Sequence, residues 1–141
     1  MSRLVVDCSV TAAWLFEDEA SPYAEAVLDA LAADHEALAP AIWLLEVSNV
    51  MLVGERRARL TEVQSIAFWV TLKAMPISID EREPMATTER IIALGRAHAL
   101  SAYDAAYLEL ALSSAVPIAS LDDKLTSAAR ASGIAVWQSN S

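Results

Sequence analysis

Four acidic side chains stand among apolar neighbours: Asp7, Glu46, Asp104 and Asp122. Asp7 ends the run Leu4-Val5-Val6, and Glu46 interrupts Ile42-Trp43-Leu44-Leu45 and Val47. Asp104 lies in Ser101-Ala-Tyr-Asp-Ala-Ala-Tyr-Leu, and Asp122 follows Ile118-Ala-Ser-Leu. A buried carboxylate is costly unless it is paired, hydrogen-bonded or bound to a cation. Two unit charges 4 Å apart repel by about 4 kcal/mol at an effective dielectric of 20, so gathered acids must protonate or take up a cation. All-oxygen ligands favour Mg²⁺ or Mn²⁺ over zinc. Such a centre implies metal-dependent chemistry on phosphodiesters.

Each acid also has a plainer reading. Asp7 can cap a helix that follows the first strand, although Ser9 offers a cap as well. Glu46 has Ile42, Trp43, Asn49 and Val50 as helical neighbours, so its stripe is apolar except for Asn49. It is either a site residue or a Glu at the edge of a helix bundle. Asn49 can orient Glu46, contact substrate or make an ordinary helical hydrogen bond. Ser101-Ala-Tyr-Asp104 fits a capping box, which alone is the simpler role for Asp104. Asp122 and Asp123 both suit the start of a helix, where the dipole favours negative charge. Of the two, Asp122 is the site candidate because it follows Leu121 directly.

The elements that must position these residues alternate along the chain. Leu4-Val5-Val6 reads as a strand, with a short helix from Ser9 to about Phe16. Glu17-Asp18-Glu19 reads as a solvated acidic turn. Pro22 favours a helix start, with Tyr23, Ala26, Val27, Ala30 and Leu31 at helical spacing. Ala37-Leu38-Ala39 is a short strand. Helices follow from Ala41 to about Arg57 and from Thr61 to about Lys73. Pro76-Ile-Ser-Ile is a strand, and helices follow from Pro84 to about Ala99 and from Ser101 to Ser114. Val116-Pro117-Ile118-Ala119 is a strand and Asp122 to Ser132 a helix. Gly133 then stops the helix before a last strand, Ile134-Ala135-Val136. This order predicts an α/β fold: one domain over residues 1–141, with a mostly parallel, short-stranded sheet between helices. Sites in such folds lie beyond the carboxyl ends of the strands, where Asp7 and Asp122 fall.

Other chemistry is poorly represented. His35 and His98 have no metal-ligand spacing, and Cys8 has no partner cysteine. Three glycines leave no phosphate-cradling loop. Arg56-Arg57-Ala58-Arg59 is the one basic cluster, able to hold a phosphate backbone or to satisfy a helix end. Phe68, Trp69, Leu72 and Met75, with Ile66 and Val70, supply apolar surface that core packing explains in part, and any exposed remainder points to a protein interface.

A 55% hydrophobic share in 141 residues supports one packed core. The single cysteine excludes an intramolecular disulfide. No signal peptide or membrane-length apolar run is visible, so a soluble, cytoplasmic protein is expected. The net charge of -9 argues against unaided nucleic-acid binding and favours a basic partner or bound cations.

Val5-Val-Asp7-Cys-Ser9, Leu44-Leu-Glu46-Val-Ser-Asn49, Ala102-Tyr-Asp104-Ala-Ala-Tyr107-Leu108 and Ile118-Ala-Ser120-Leu-Asp122-Asp-Lys-Leu125, in this order, resemble the PIN domain family. The closest likeness is to ribonuclease toxins of VapBC-type toxin–antitoxin pairs. The resemblance implies a three-layer α/β/α sandwich in which Asp7, Glu46, Asp104 and Asp122 match an acidic metal-binding quartet. Ser9 matches its small hydroxyl, while Ser120 and Cys8 stand where threonine is frequent. It further implies a Mg²⁺- or Mn²⁺-dependent ribonuclease, a homodimer and a cognate antitoxin. A non-catalytic interaction module and a DNA nuclease of related fold are the competing readings.

Overall fold

The computed structural model describes residues 2–139. Its strands are β1 (Ser2–Val6), β2 (His35–Ala39), β3 (Ile77–Ile79) and β4 (Ile118–Ala119). Its α-helices are α1 (Cys8–Leu15), α2 (Pro22–Ala33), α3 (Ile42–Arg56), α4 (Glu62–Ala74), α5 (Pro84–His98), α6 (Ala102–Ser114) and α7 (Asp123–Ala131). The sheet runs β3-β2-β1-β4 and every pairing is parallel. Val5 pairs with Leu38 on one side and Ile118 on the other.

Side-chain alternation along β1 builds the layers. Val5 packs with Trp43 and Val47 of α3, Leu72 of α4, Tyr107 and Leu108 of α6 and Leu125 of α7. Leu4 and Val6 face the opposite way, onto Val10 and Ala13 of α1 and Ala24, Val27 and Leu31 of α2. Two cores therefore sandwich the sheet, giving three layers. None of the described helices is long and apolar enough to cross a membrane.

The chain builds β2 and β3 outward on one side of β1, then returns to place β4 on the other. The carboxyl ends of β1 and β4 thus meet at the point where the strand order reverses. A crevice opens at such a point because the flanking connections leave in opposite directions.

Local signals set most boundaries. Ser21 caps α2 ahead of Pro22, and Glu83 caps α5 ahead of Pro84. Thr61 and Gln64 form a reciprocal capping box on α4. Gly54 lies where α3 meets Leu60 and Phe16, and a Cβ there would come within 2.9 Å of Leu60 Cδ1.

Two expectations need correction. Asp7, not Ser9, opens α1, because its carboxylate reaches the Ser9 and Val10 amides first. The last strand reduces to a bridge between Ile118 and Val136. Its segment is held by two backbone bonds, Ile118 N–H to Ala135 O and Trp137 N–H to Ile118 O. The Glu17-Asp18-Glu19 segment is an exposed 3₁₀ turn, as expected, and Arg59 pairs with Asp18 and Glu19 on it. Arg59 also lies over the Phe16 ring, 3.8 Å from its centroid. That arginine of the basic cluster is therefore committed to a structural tie.

Candidate active site

Asp7 leaves the carboxyl end of β1 and is 4% exposed. Its Oδ1 accepts from Ser9 N–H at 2.8 Å, from Val10 N–H at 3.4 Å and from the Ser9 hydroxyl. Its Oδ2 accepts from Ser120 Oγ at 2.5 Å. Ser120 follows β4, so this bond ties the carboxyl ends of β1 and β4 together. Ser120 Oγ also accepts from Asp122 N–H at 3.0 Å, and Ser9 Oγ accepts from Leu121 N–H at 2.9 Å. The two serines therefore join the β1–α1 and β4–α7 turns around Asp7. Burial raises the Asp7 pKa, and the bonds from Ser120 and Ser9 oppose it.

Asp122 caps α7, with Oδ1 accepting from Lys124 N–H at 2.9 Å and Leu125 N–H at 3.3 Å. For both Asp7 and Asp122 capping occupies one oxygen and leaves the other open to a further contact, since a carboxylate has two oxygens. Asp104 behaves differently. Ser101 Oγ accepts from Asp104 N–H at 3.1 Å, but α6 lacks the reciprocal bond of a capping box. Asp is one methylene shorter than the Glu or Gln that closes such a box. Burial and the Asp122 charge raise the Asp104 pKa, while Lys124 and Ser101 draw it back.

Glu46 sits in the second turn of α3, half-buried. Tyr107 of α6, 1% exposed, donates its hydroxyl to Glu46 Oε1 at 2.6 Å. Burial raises the Glu46 pKa and Tyr107 opposes it, while the charges of Asp7 and Asp104 raise it further. Cys8 is pushed up to about 12 by burial and then by Glu46 and Asp7. The acids thus form an electrostatic row: Asp7 and Asp104 each act on Glu46, and Asp122 acts on Asp104.

The row is open rather than closed. Among the described residues, no three acid, histidine or cysteine side chains converge as a preformed ion-binding group. The donor chemistry nevertheless suits a hard cation. Among the described residues, no protein donor lies on Glu46 Oε2 or Asp122 Oδ2, and Asp7 Oδ2 has Ser120 alone. These oxygens and the Asp104 carboxylate are hard donors of the kind that suits a divalent ion.

Asn49 lies one turn beyond Glu46 and is exposed. It lines a hollow with Ala12, Phe16, Val53 and Arg59. His35 is remote from the row, 2.6 Å from Asp34 at the start of β2, and His98 contacts Ser132. Tyr107 and Lys124 were missed as neighbours of the acids. The Tyr107 contact is made across to α3, and that of Lys124 needs the packing of α7 beside α6, so neither follows from local spacing.

A separate ionic group pins the entry of α5 to α6. Arg82 forks onto Glu109 at 2.6 and 3.1 Å and onto Asp80 at 2.9 Å. Arg90 adds a 3.2 Å bond to Glu109, which is 2% exposed. These pairings and Ser113 hold Glu109 below the usual carboxylate range against its burial. The group offers no spare oxygen row and reads as structure.

The parallel sheet between two helical layers, with Asp7 and Asp122 at its switch point, makes this an α/β/α sandwich with acids at the sheet rim. The chain belongs to the PIN domain family, whose description it matches over residues 4–131. It is similar in structure to PAE2754 from Pyrobaculum aerophilum, with a TM-score of 0.62 and 20% identity. That similarity covers 90% of this chain and 84% of the other and speaks to the fold. No curated protein matches the chain.

Proposed function

We propose that this protein is a Mg²⁺- or Mn²⁺-dependent endoribonuclease that hydrolyses RNA phosphodiester bonds, acting as the toxin of a type II toxin–antitoxin pair in the cytoplasm. What supports the proposal is Asp7 and Asp122 at the reversal of strand order, with Asp7 and Asp104 close enough to raise the Glu46 pKa and Asp122 close enough to raise that of Asp104. Asp7 and Asp104 are the principal ligands, and Glu46 and Asp122 complete the set directly or through water. A bound divalent ion supplies a water of lowered pKa and charge stabilisation at the leaving oxygen.

The chain's own residues do the positioning. Ser9 and Ser120 fix Asp7 from two turns. Asn49 presents an exposed amide one turn from Glu46 for contact with substrate. Lys124, close enough to lower the Asp104 pKa, offers a cation to the phosphate backbone in a chain of net charge -9.

The same charge favours a basic antitoxin segment that inserts an arginine or lysine among the acids. Leu45 and Leu52 on α3, and Val63, Ile66 and Val70 on α4, are all more than half exposed. Such apolar surface supports protein contacts, including the proposed homodimer.

Cleavage of a mixed-sequence RNA in Mn²⁺, by wild type and by Asp7→Asn purified identically, tests the reading. Wild type is expected to cut and the variant to lose at least about a hundredfold in rate, the scale of removing one charge-stabilising group. Equal cleavage by both proteins contradicts it. Cleavage of DNA alone redirects the assignment to a DNA nuclease, and absence of wild-type cleavage favours an interaction module.

A further inference from the structure

Helix α6 supplies one acid of the row directly and holds a second at a distance. Asp104 lies in its first turn, and Tyr107 lies one turn further along. Tyr107 reaches across to α3, and its hydroxyl donates to Glu46 Oε1 at 2.6 Å. The ring is enclosed in the core formed by Val5, Trp43, Val47 and Leu108. A phenol with one buried tip and a fixed ring has little freedom to move. Glu46, by contrast, is a three-torsion side chain on an apolar helix face, and no other bond is formed to its carboxylate among the described residues.

We propose that Tyr107 is a positioning residue of the acid centre. Its hydroxyl commits Oε1 of Glu46 to the protein and thereby presents Oε2, in one rotamer, as the oxygen available to the divalent ion. The proposal rests on the cation reading of the acids. A partner that bonds the second oxygen of a ligating carboxylate orients the ligand, and its loss typically weakens metal binding about tenfold to a hundredfold. Without the hydroxyl, Glu46 must be ordered at the moment the ion binds. A hydroxyl that merely satisfies itself in the core would instead affect folding and leave ion affinity alone.

Phenylalanine preserves the ring, so Tyr107→Phe removes only the bond. Mn²⁺ affinity is measured from free Mn²⁺ by electron paramagnetic resonance, on the full chain. The set is wild type, Tyr107→Phe, Glu46→Gln and the double variant. Tyr107→Phe is expected to weaken Mn²⁺ binding about tenfold when Glu46 is present. In the Glu46→Gln background the same change is expected to cost less than about twofold, because the coupled pair is already broken. Equal weakening in both backgrounds, or unchanged affinity in Tyr107→Phe, overturns the proposal.

A second readout needs no metal. The phenolic proton of Tyr107 is expected as a slowly exchanging downfield resonance in the metal-free wild type, absent in Tyr107→Phe and shifted in Glu46→Gln. Its absence from the wild type also overturns the proposal. If the proton is seen but wild type binds no Mn²⁺ at millimolar concentration, the cation reading has failed and the positioning role falls with it. If wild type binds Mn²⁺ and Tyr107→Phe does so equally, the cation reading stands and the inference about Tyr107 alone is wrong.

Discussion

Ser120 bonds Asp7 across the reversal of strand order: Ser120 Oγ donates to Asp7 Oδ2 at 2.5 Å while accepting from the Asp122 amide at 3.0 Å. One hydroxyl therefore fixes two acids from different turns. Ser120→Ala leaves the buried Asp7 oxygen with one partner fewer. We expect a loss of about 1–3 kcal/mol, the range for a hydrogen bond to a buried charged group. Urea unfolding measures it, and Ser120→Thr, which keeps the hydroxyl, is expected to recover most of the loss. Equal behaviour of the alanine and threonine variants contradicts the role given to this bond.

Asp7 carries a pH signature. Its folded-state pKa is raised by burial, so the folded chain binds a proton more tightly than the unfolded one. The associated stability is present below the unfolded value near 4 and is lost as pH rises through the folded value. Asn retains a good helix cap without the charge. Metal-free Asp7→Asn is therefore expected to be more stable than wild type at pH 7, with the advantage shrinking towards pH 4. Parallel unfolding curves across that range exclude a raised Asp7 pKa.

Much of the fold is legible in the sequence. Val5 between Leu4 and Val6 reads as a strand buried on both faces, and both of its faces are packed. Pro22, Thr61, Pro84 and Ser101 mark helix starts because their chemistry acts within one turn. The final strand was not legible in the same way. Ile134-Ala135-Val136 has strand composition, but the chain makes only a bridge there, and bridging is decided by partner geometry. Asp104 was ambiguous for a related reason. Local pattern suggested a capping box, and only the three-dimensional bonds show that its carboxylate does not close one. Tyr107 lay inside a recognised motif, yet its bond to Glu46 spans 61 residues of sequence and leaves no local trace.

Cys8 reports the charge of the row. With its pKa pushed up to about 12 by burial, Glu46 and Asp7, its thiolate fraction at pH 8 is about a thousandfold below that of a free thiol. Iodoacetamide at pH 8 is expected to label Cys8 very slowly. Glu46→Gln is expected to speed labelling by removing one negative neighbour. Labelling of wild type at the rate of a free thiol contradicts this electrostatic picture.

Glu109 separates structure from chemistry. Removing one partner of a buried ion pair costs about 3–5 kcal/mol, and Arg82 and Arg90 can still reach water, so Glu109→Ala is expected near the lower end. Urea unfolding gives the cost. If the variant retains a folded signal, its Mn²⁺ affinity is expected to match wild type within about twofold, because Glu109 is outside the acid row. A larger loss of Mn²⁺ binding places the ionic group within the functional centre.

The central claim is that Asp7, Glu46, Asp104 and Asp122 share one divalent ion. Calorimetric titration of Mn²⁺ into wild type, Asp7→Asn and Asp104→Asn tests it most directly. Wild type is expected to bind below millimolar concentration, and each variant to bind at least about tenfold more weakly, since a lost ligand costs no less than a lost partner of a ligand. Equal Mn²⁺ binding by all three proteins, or none by the wild type at millimolar Mn²⁺, contradicts the account.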